Sequence, residues 1–227
     1  MQQSWRQDPD KLTFITCLPV SSSSPDDGPT SCAPLVKRQT ITAGEDDTSE
    51  KMLGDINLFL RIDEGDEPES EQQQQQTGGG DVETANAAPD PQIIGEIELM
   101  VAQKTNHRRG YGRAALLCFL RYIVEHEAEI LGEFVPSTFT TSGQKMKIRE
   151  KQQAWRFSHL SVKIGQENTG SLGLFESAGF RKVSEEPNFF GEVEMTQKRT
   201  DLKVGRVKEA LERARIEGYV ELDYGRG

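Results

Sequence analysis

The hydrophobic and polar positions of the chain follow two periods, which predict strands and helices in a definite order. Stretches rich in β-branched and aromatic residues predict strands at 12–18, 51–61, 93–103, 157–164, 180–183 and 190–197. The spacing of apolar residues predicts helices at 112–129 and 168–178, and a charge-rich, exposed helix at 203–216. Residues 219–222 are expected to form a terminal strand or a tail.

The order of the central elements predicts an α/β (α+β) fold with one crossover connection. The strand at 93–103, the helix at 112–129 and the strand at 157–164 make a β-α-β unit, so the two strands are expected to be parallel. Ligands of such sheets bind outside the carboxyl ends of the strands, at a point where neighbouring strands diverge. Residues 99–103 and the loop 108–112 are therefore expected at one pocket.

Three polar stretches are predicted to be disordered insertions in one domain. They cover residues 19–50, 62–92 and 133–155; the second contains nine acidic side chains between Asp63 and Gln92, with no Lys or Arg among them. Such segments bury too little apolar surface to offset the conformational entropy lost on folding. We therefore predict a single domain over residues 1–200, followed by a C-terminal helix and tail over 201–227.

Composition narrows the classes of function. The net charge of −10 comes mostly from the acidic insertion, and local basic clusters are few, which argues against nucleic-acid binding. The three cysteines are scattered without metal-ligand spacing, so we expect neither a metal site nor a disulfide framework. Residues 1–10 include no apolar stretch like that of a signal peptide, and no segment of the sequence reaches the length of a membrane span. We therefore expect no membrane contact and a location in the cytoplasm or the nucleus.

A loop rich in Gly and Arg follows the third predicted strand and opens directly into a helix. It runs through Arg108, Arg109, Gly110, Tyr111 and Gly112. Such a loop aims free backbone N–H groups and the positive end of the helix dipole at one point, which suits a phosphate. Taken alone, the motif fits equally well with a solvated basic turn that begins a helix.

A second motif lies at residues 165–180 and is marked by Asn168, Ser171, Phe175 and the Gly-Phe pair at 179–180. Its structural interpretation is that Asn168 caps a helix, Phe175 enters the core and Gly179 ends the helix. That interpretation explains most of these residues. It does not explain why the motif is paired with a phosphate loop on the preceding helix.

The pairing of the two motifs resembles the GNAT superfamily of acetyl-CoA-dependent N-acetyltransferases. More narrowly, the chain is similar to the N-acetyltransferase 9-like branch, in stretches at 2–5, 10–15, 54–60, 95–101 and 163–168. The resemblance implies a GNAT-like mixed central sheet flanked by helices. Members of the superfamily begin with a strand and a helix before the point that matches Met1, so either the sequence given is truncated there or this fold lacks that strand and helix.

The resemblance also implies a co-substrate and its contacts. Acetyl-CoA would bind with its pyrophosphate on the 108–112 loop and with its pantetheine beside Asn168, Ser171 and Phe175. Backbone N–H groups near Met100 and Val101 would polarise the acetyl carbonyl. The acceptor would be an amine on a protein or peptide that attacks the thioester directly, without a covalent enzyme intermediate and without a metal.

Two departures from the superfamily pattern bear on activity. His107 stands where Arg or Gln is usual, and Arg108 and Arg109 are expected to compensate for it. Phe175 stands where many relatives have a tyrosine whose hydroxyl protonates the departing CoA thiolate. Together with the missing first strand and helix, these departures leave a second class open, a non-catalytic GNAT-like protein that binds acetyl-CoA or acts as a scaffold.

Glu96 and Glu98 are the candidate catalytic residues. The alternation along their strand places Glu96, Glu98 and Met100 on one face of the sheet. A carboxylate beside the acetyl group can accept the proton of the amine through a water molecule. Glu98 is the stronger candidate because it lies one step nearer the loop. The alternative is that both carboxylates simply face solvent.

Overall fold

The computed structural model describes residues 8, 10–18, 40–63, 92–141 and 155–225 of the chain. Its strands are β1 Lys11–Cys17, β2 Thr40–Thr42, β3 Met52–Asp63, β4 Gln92–Val101, β5 Phe157–Gly165, β6 Arg181–Lys182, β7 Glu192–Lys198 and β8 Asp223–Gly225. Its α-helices are α1 Tyr111–Glu125, α2 Glu127–Thr141, α3 Thr169–Ser177 and α4 Val204–Arg213. A 3₁₀ turn at Lys104–Asn106 precedes α1.

Six of these strands form one mixed sheet in the order β1-β3-β4-β5-β7-β6. The central pair, β4 and β5, is parallel, and the other neighbours in the sheet are antiparallel. The predicted crossover through α1 and the predicted mixed sheet flanked by helices are therefore confirmed. The short strands β2 and β8 form a separate parallel pair.

Period-2 alternation gives the sheet two chemically different faces. One face carries aliphatic side chains that join the buried core, including Ile56, Leu58, Ile97, Leu160 and Val162. Residues from all four helices enter the same core: Leu116, Leu117, Phe119, Leu120 and Ile123 of α1, Leu131 and Phe134 of α2, Phe175 of α3, and Val207 and Leu211 of α4. The register places polar residues of β3, β4 and β5 on the opposite face.

Two of the predicted disordered insertions include residues that are ordered in the structure. Residues 40–50, predicted to be disordered, contain β2 and a turn in which the buried Asp46 accepts a hydrogen bond from the Thr42 amide at 2.9 Å. Residues 133–141, also predicted to be an insertion, continue α2, in which Phe134 is buried. In both places tertiary contacts order a sequence whose composition favours a loop. The remaining parts of the predicted insertions lie outside the described residues, apart from their boundary positions.

The helix predicted at 112–129 is two helices, because the chain turns at His126. The helix predicted at 203–216 is not simply exposed, since Val207 and Leu211 of α4 are buried and pack with α1. Beyond it, the Arg121 guanidinium lies 4.0 Å from the centre of the Tyr219 ring. The domain boundary at residue 200 stays a prediction, but the helix that follows it belongs to the same core.

Candidate active site

The parallel strands β4 and β5 separate at their carboxyl ends. Their pairing runs from Ile93 with Phe157 to Glu96 with Ser161 and goes no further. β4 continues to Val101 while paired with β3, and β5 continues to Gly165 while paired with β7. The two strands therefore enclose a gap at the edge of the sheet where α/β folds bind their ligands.

The Gly and Arg loop begins α1 at one side of this gap. Gly110 is the residue before the helix, with a φ of 92°, and no side chain caps the free N–H groups of the first turn. The open N-terminus of a helix attracts an anion through these groups and through the helix dipole. A Cβ on Gly110 would meet no atom within 4 Å, so glycine is required there by the backbone angle and not by crowding.

The two motifs that the sequence pairs also meet in space. The Arg108 Nη1 atom lies 3.4 Å from the place that a Cβ on Gly170 would take, in the first turn of α3. A Cβ on Gly112 would lie 3.5 Å from the Leu174 Cδ2 atom, so the start of α1 packs closely against α3. Arg108 itself has a positive φ of 63°, which is uncommon for a residue other than glycine. The loop is thus held in an unusual conformation against the second motif.

His107 takes part in shaping the loop. Its Nε2 atom lies 2.8 Å from the Val101 carbonyl oxygen, which ties the loop to the end of β4. The guanidinium of Arg109 lies 5.9 Å from the centre of the Tyr111 ring. His107 is thus held at the backbone of β4, and a contact of Arg108 or Arg109 with a phosphate stays a prediction.

The residues of the second motif have separate structural tasks. The Asn168 side chain caps α3, since its Oδ1 accepts a hydrogen bond from the Ser171 amide at 3.1 Å. Phe175 is 2% exposed and meets Phe180 edge to face, with 5.1 Å between the ring centres. The structural interpretation of the motif therefore holds for both. A contact of Asn168, Ser171 or Phe175 with the co-substrate stays a prediction, and for Phe175 the buried ring makes the core its main environment.

The end of β4 depends on a glycine that the sequence analysis left without a role. A Cβ on Gly54 of β3 would collide with the Met100 carbonyl oxygen. Any other residue at position 54 would have to displace the backbone at Met100, where the acetyl carbonyl is predicted to bind. The signal was available, because a glycine inside a strand often marks the close approach of another backbone.

The structure separates the two candidate bases. Glu96 is engaged in an ion pair, with its Oε2 atom 2.9 Å from the Lys163 Nζ atom. Glu98 is exposed and lines a cavity of about 230 Å³ together with Asp55, Asn57 and Met100. Of the two, Glu98 therefore keeps a carboxylate that is available to a substrate, and Glu96 is held by Lys163.

Two further polar residues of the cavity come from β3. The register sets Asn57 opposite Glu98 and Asp55 opposite Met100. The Thr13 hydroxyl donates to Asn57 Oδ1 at 2.7 Å, and Asn57 Nδ2 donates to Asp55 Oδ2 at 2.6 Å. The other oxygen, Asp55 Oδ1, is buried and has no hydrogen-bond partner in the part of the chain that the structure describes. The sequence analysis missed both residues, although the polar alternation of 51–61 placed them on one face.

Within the described ranges there is no group of three or more His, Cys, Asp or Glu side chains that could hold a metal ion. Likewise, none of the described helices combines the length and the apolar character that crossing a bilayer requires.

Several known proteins are similar to the chain in sequence. An N-acetyltransferase 9-like protein of Schizosaccharomyces pombe is 30% identical over 202 residues, which cover 88% of this chain and 76% of that protein. The alpha/beta-tubulin-N-acetyltransferase 9 of Drosophila melanogaster is 26% identical over 181 residues, covering 79% of this chain and 55% of that protein. The N-acetyltransferase 9-like protein of Nematostella vectensis is 26% identical, and the chain spans 59% of its length.

Likeness to solved structures is looser, and no family model matches the chain. A crystal structure of Arabidopsis thaliana NAA60 in complex with acetyl-CoA has a TM-score of 0.38 at 11% identity, covering 70% of this chain and 72% of that one. The GNAT domain of S. lividans PAT has a TM-score of 0.33 at 16% identity, covering 67% and 57%. On the likeness to the Schizosaccharomyces pombe protein, the chain belongs to the N-acetyltransferase 9-like family, and the prediction that it is an N-acetyltransferase is confirmed at the level of that family.

Proposed function

We propose that this protein transfers the acetyl group of acetyl-CoA to an amine on a protein or peptide. One observation carries the proposal: the carboxyl end of β4 leads to the uncapped N-terminus of α1 and also borders the Glu98 cavity, which residues of β3 and β4 line. An anionic co-substrate and an amine can therefore both approach the end of this strand. The family to which the chain belongs supports the same chemistry.

The co-substrate binds first through its phosphates. The free N–H groups of α1 and the guanidinium groups of Arg108 and Arg109 face a pyrophosphate, which is the most strongly charged part of acetyl-CoA. From there the pantetheine extends into the gap between the strands. The thioester then reaches the end of β4, where the backbone N–H groups at Met100 and Val101 polarise its carbonyl.

The reaction is a direct attack of the amine on the thioester. The amine nitrogen forms a bond to the acetyl carbon, the carbon–sulfur bond breaks, and CoA leaves as a thiolate. The ammonium group of the acceptor first loses one proton through water to the Glu98 carboxylate, and the second proton, lost as the amide forms, passes through water to the CoA thiolate. The products are an amide and free CoA thiol, and no acyl-enzyme is formed.

The acceptor is a cationic amine that enters from the cavity of β3 and β4. Asp55 and Glu98 give this cavity two carboxylates, and the network from Thr13 through Asn57 holds the Asp55 carboxylate in place. Asp55 Oδ1 is left to accept a hydrogen bond from the incoming ammonium group. The name of the Drosophila melanogaster relative specifies alpha/beta-tubulin, which favours a protein acceptor here as well.

Phe175 favours a second candidate function. It has no hydroxyl to protonate the departing thiolate, and its ring is buried in the core. A protein that binds acetyl-CoA and does not turn it over would need no proton donor. This candidate shares the phosphate loop with the first one and differs from it in turnover alone.

The test is the release of CoA thiol from acetyl-CoA in the presence of peptides. One peptide carries a free α-amine, a matched peptide carries an acetylated α-amine with an internal lysine, and a third has both amines blocked. We expect release with at least one of the first two and none with the third. Tight binding of CoA by calorimetry together with no release from any peptide would favour the scaffold.

A further inference from the structure

One lysine borders the gap between β4 and β5. Among the residues of these two strands, Lys163 of β5 is the only lysine. Its Nζ atom lies 2.9 Å from the Glu96 Oε2 atom, so its side chain is on the face of the sheet that Glu96 and Glu98 share. The protein therefore has an amine of its own on the face from which the acceptor amine is proposed to enter.

The register places Lys163 level with Glu98. The last pair between β4 and β5 is Glu96 with Ser161. Glu98 and Lys163 each follow this pair by two residues, which is roughly 7 Å along a strand. Because the strands separate after the pair, the two side chains lie on opposite edges of the gap. Lys163 has a flexible four-carbon stem, so its amine can move from Glu96 toward the gap.

The ion pair with Glu96 holds this amine only loosely. The Lys163 side chain is 40% exposed and the Glu96 side chain 20%. Ion pairs that are open to solvent contribute little to stability, because water screens the attraction and the side chains lose entropy by pairing. Lys163 can therefore leave Glu96 without disturbing the sheet around it.

We propose that the protein acetylates its own Lys163 from bound acetyl-CoA, a proposal that rests on the proposed function. The Lys163 ammonium group loses one proton to the Glu96 carboxylate, which passes it to solvent. The neutral Nζ atom then forms a bond to the acetyl carbon, the carbon–sulfur bond breaks, and a second proton passes from Nζ to the CoA thiolate. The products are acetylated Lys163, free CoA thiol and one proton released to solvent.

This transfer changes the charge of the acceptor site. Acetylated Lys163 is neutral and no longer pairs with Glu96, which leaves a second unpaired carboxylate on the face that carries Glu98. A more negative surface attracts a cationic acceptor more strongly. The two glutamates then have separate tasks, since Glu96 serves the internal amine and Glu98 serves the external one.

A purely structural ion pair makes a different prediction. Thioesters acetylate any exposed lysine slowly, so acetylation by itself is not the test. Two lysines away from the gap are matched controls. Lys182 is 44% exposed and lies 3.8 Å from Glu185, and Lys208 is 49% exposed and lies 3.7 Å from Glu125. Lys163 is less exposed than either control, so exposure alone would not make it react faster.

The experiment incubates the full chain with acetyl-CoA and measures the acetylated fraction of each lysine over time by peptide mass spectrometry. We expect Lys163 to react roughly 100-fold faster than Lys182 and Lys208, because a thioester held beside an amine reacts as if it were highly concentrated. The rate constant should be independent of protein concentration, and excess free CoA should slow Lys163 alone. The acetyl thioester of N-acetylcysteamine, which has no phosphates, should acetylate the three lysines at similar rates.

Equal rates for the three lysines with acetyl-CoA would overturn the proposal, and so would an equal preference for Lys163 with the small thioester. A rate constant that rises with protein concentration would show transfer between molecules and would also overturn it. In Lys163→Arg, which keeps the cation and lacks the amine, the acetyl groups incorporated should fall to the level of the control lysines. Release of CoA with peptide acceptors but equal labelling of the lysines would overturn this inference alone. A parent that does not bind acetyl-CoA would overturn the proposed function and this inference with it.

Discussion

Two polar clusters of the molecule are built from similar residues and are used differently. The first surrounds Glu127 at the start of α2, a carboxylate that is 2% exposed. Arg199 donates to it through Nε at 2.7 Å and Nη2 at 2.8 Å, Arg156 donates through Nη1 at 2.8 Å, and the Phe157 amide donates at 3.0 Å. Both carboxylate oxygens are satisfied, so the cluster fastens α2 to β5 and to the end of β7.

The second cluster, of Asp55, Asn57 and Glu98, is left incomplete. Asp55 Oδ1 is buried without a partner in the described residues, and Glu98 faces a cavity. An unsatisfied buried acceptor costs stability, and a substrate that donates a hydrogen bond to it would recover that cost. The comparison teaches that a buried charge does not by itself indicate function. What distinguishes the two clusters is the hydrogen-bonding capacity that each has left over.

The largest expected effect is on the free energy of unfolding and follows from disrupting the first cluster. Glu127→Ala leaves the partly buried Arg199 without its partner, and we expect a loss of about 3 kcal/mol in the free energy of unfolding. Denaturant unfolding of the parent and the variant measures this loss, and Glu133→Ala on the same helix is an exposed control. A loss below about 1 kcal/mol would mean that the cluster contributes little to holding α2 against β5 and the end of β7.

The same cluster has a defined pH dependence. Burial acts to raise the pKa of Glu127, but hydrogen bonds from Arg199, Phe157 and Arg156 outweigh it and the pKa is lowered. Because its pKa is lowered in the folded state, ionised Glu127 stabilises the protein at pH values above the ordinary pKa of a glutamate. This stabilisation is lost as the pH falls through the pKa of the folded state. The free energy of unfolding should therefore fall more steeply with acid in the parent than in Glu127→Gln.

The next effect tests the second cluster through catalysis. Glu98→Gln should lower turnover roughly 10²-fold and leave the affinity for CoA nearly unchanged, because the carboxylate acts on the amine proton alone. Glu96→Gln is the matched control, one pleat back on the same face and already paired with Lys163. Full activity of the Glu98 variant with loss in the control would transfer the role to Glu96. Full activity in both would remove carboxylates from the mechanism.

A smaller effect, expected for Asp55, tests whether the second cluster serves substrate binding or the stability of the fold. Asp55→Asn should raise KM for the acceptor peptide about 10-fold and leave KM for acetyl-CoA unchanged, because a charge-assisted bond to the amine is lost. Its melting temperature should stay within a few degrees of the parent, since the altered oxygen has no partner to lose. A large drop in melting temperature would place Asp55 with Glu127 as a structural residue.

The smallest effect concerns a polar contact at the surface. Burial acts to lower the pKa of His126, but hydrogen bonds to Glu129 and Glu221 outweigh it and the pKa is raised. The contact should stabilise the protein below about pH 6.5 and cease to do so as the pH rises through the raised value. Melting temperatures between pH 5.5 and pH 8 should fall slightly more in the parent than in His126→Gln. An identical pH dependence in both would show that the contact contributes nothing.

The local pattern of the sequence predicted most strands of the sheet and the phosphate loop. The alternation of 51–61 and 93–103 and the glycines of 108–112 act over a few residues, so their structural meaning does not depend on distant parts of the chain. The parallel pairing of β4 and β5 followed from the handedness and length of one crossover. The strand β2, the length of α2 and the burial of α4 were not predicted, because each is ordered by contacts with residues far away in the sequence.

By itself, the sequence determined the order of the main strands and helices, the place of the Gly and Arg loop before α1, and the face that Glu96 and Glu98 share. Only the tertiary structure decided that Lys163 holds Glu96, that Glu98 shares a cavity with Asp55 and Asn57, and that α4 packs on α1. The physical reason is the range of the interactions. Periodicity and backbone angles are local, whereas ion pairs, unsatisfied acceptors and cavities exist only once distant segments have packed together.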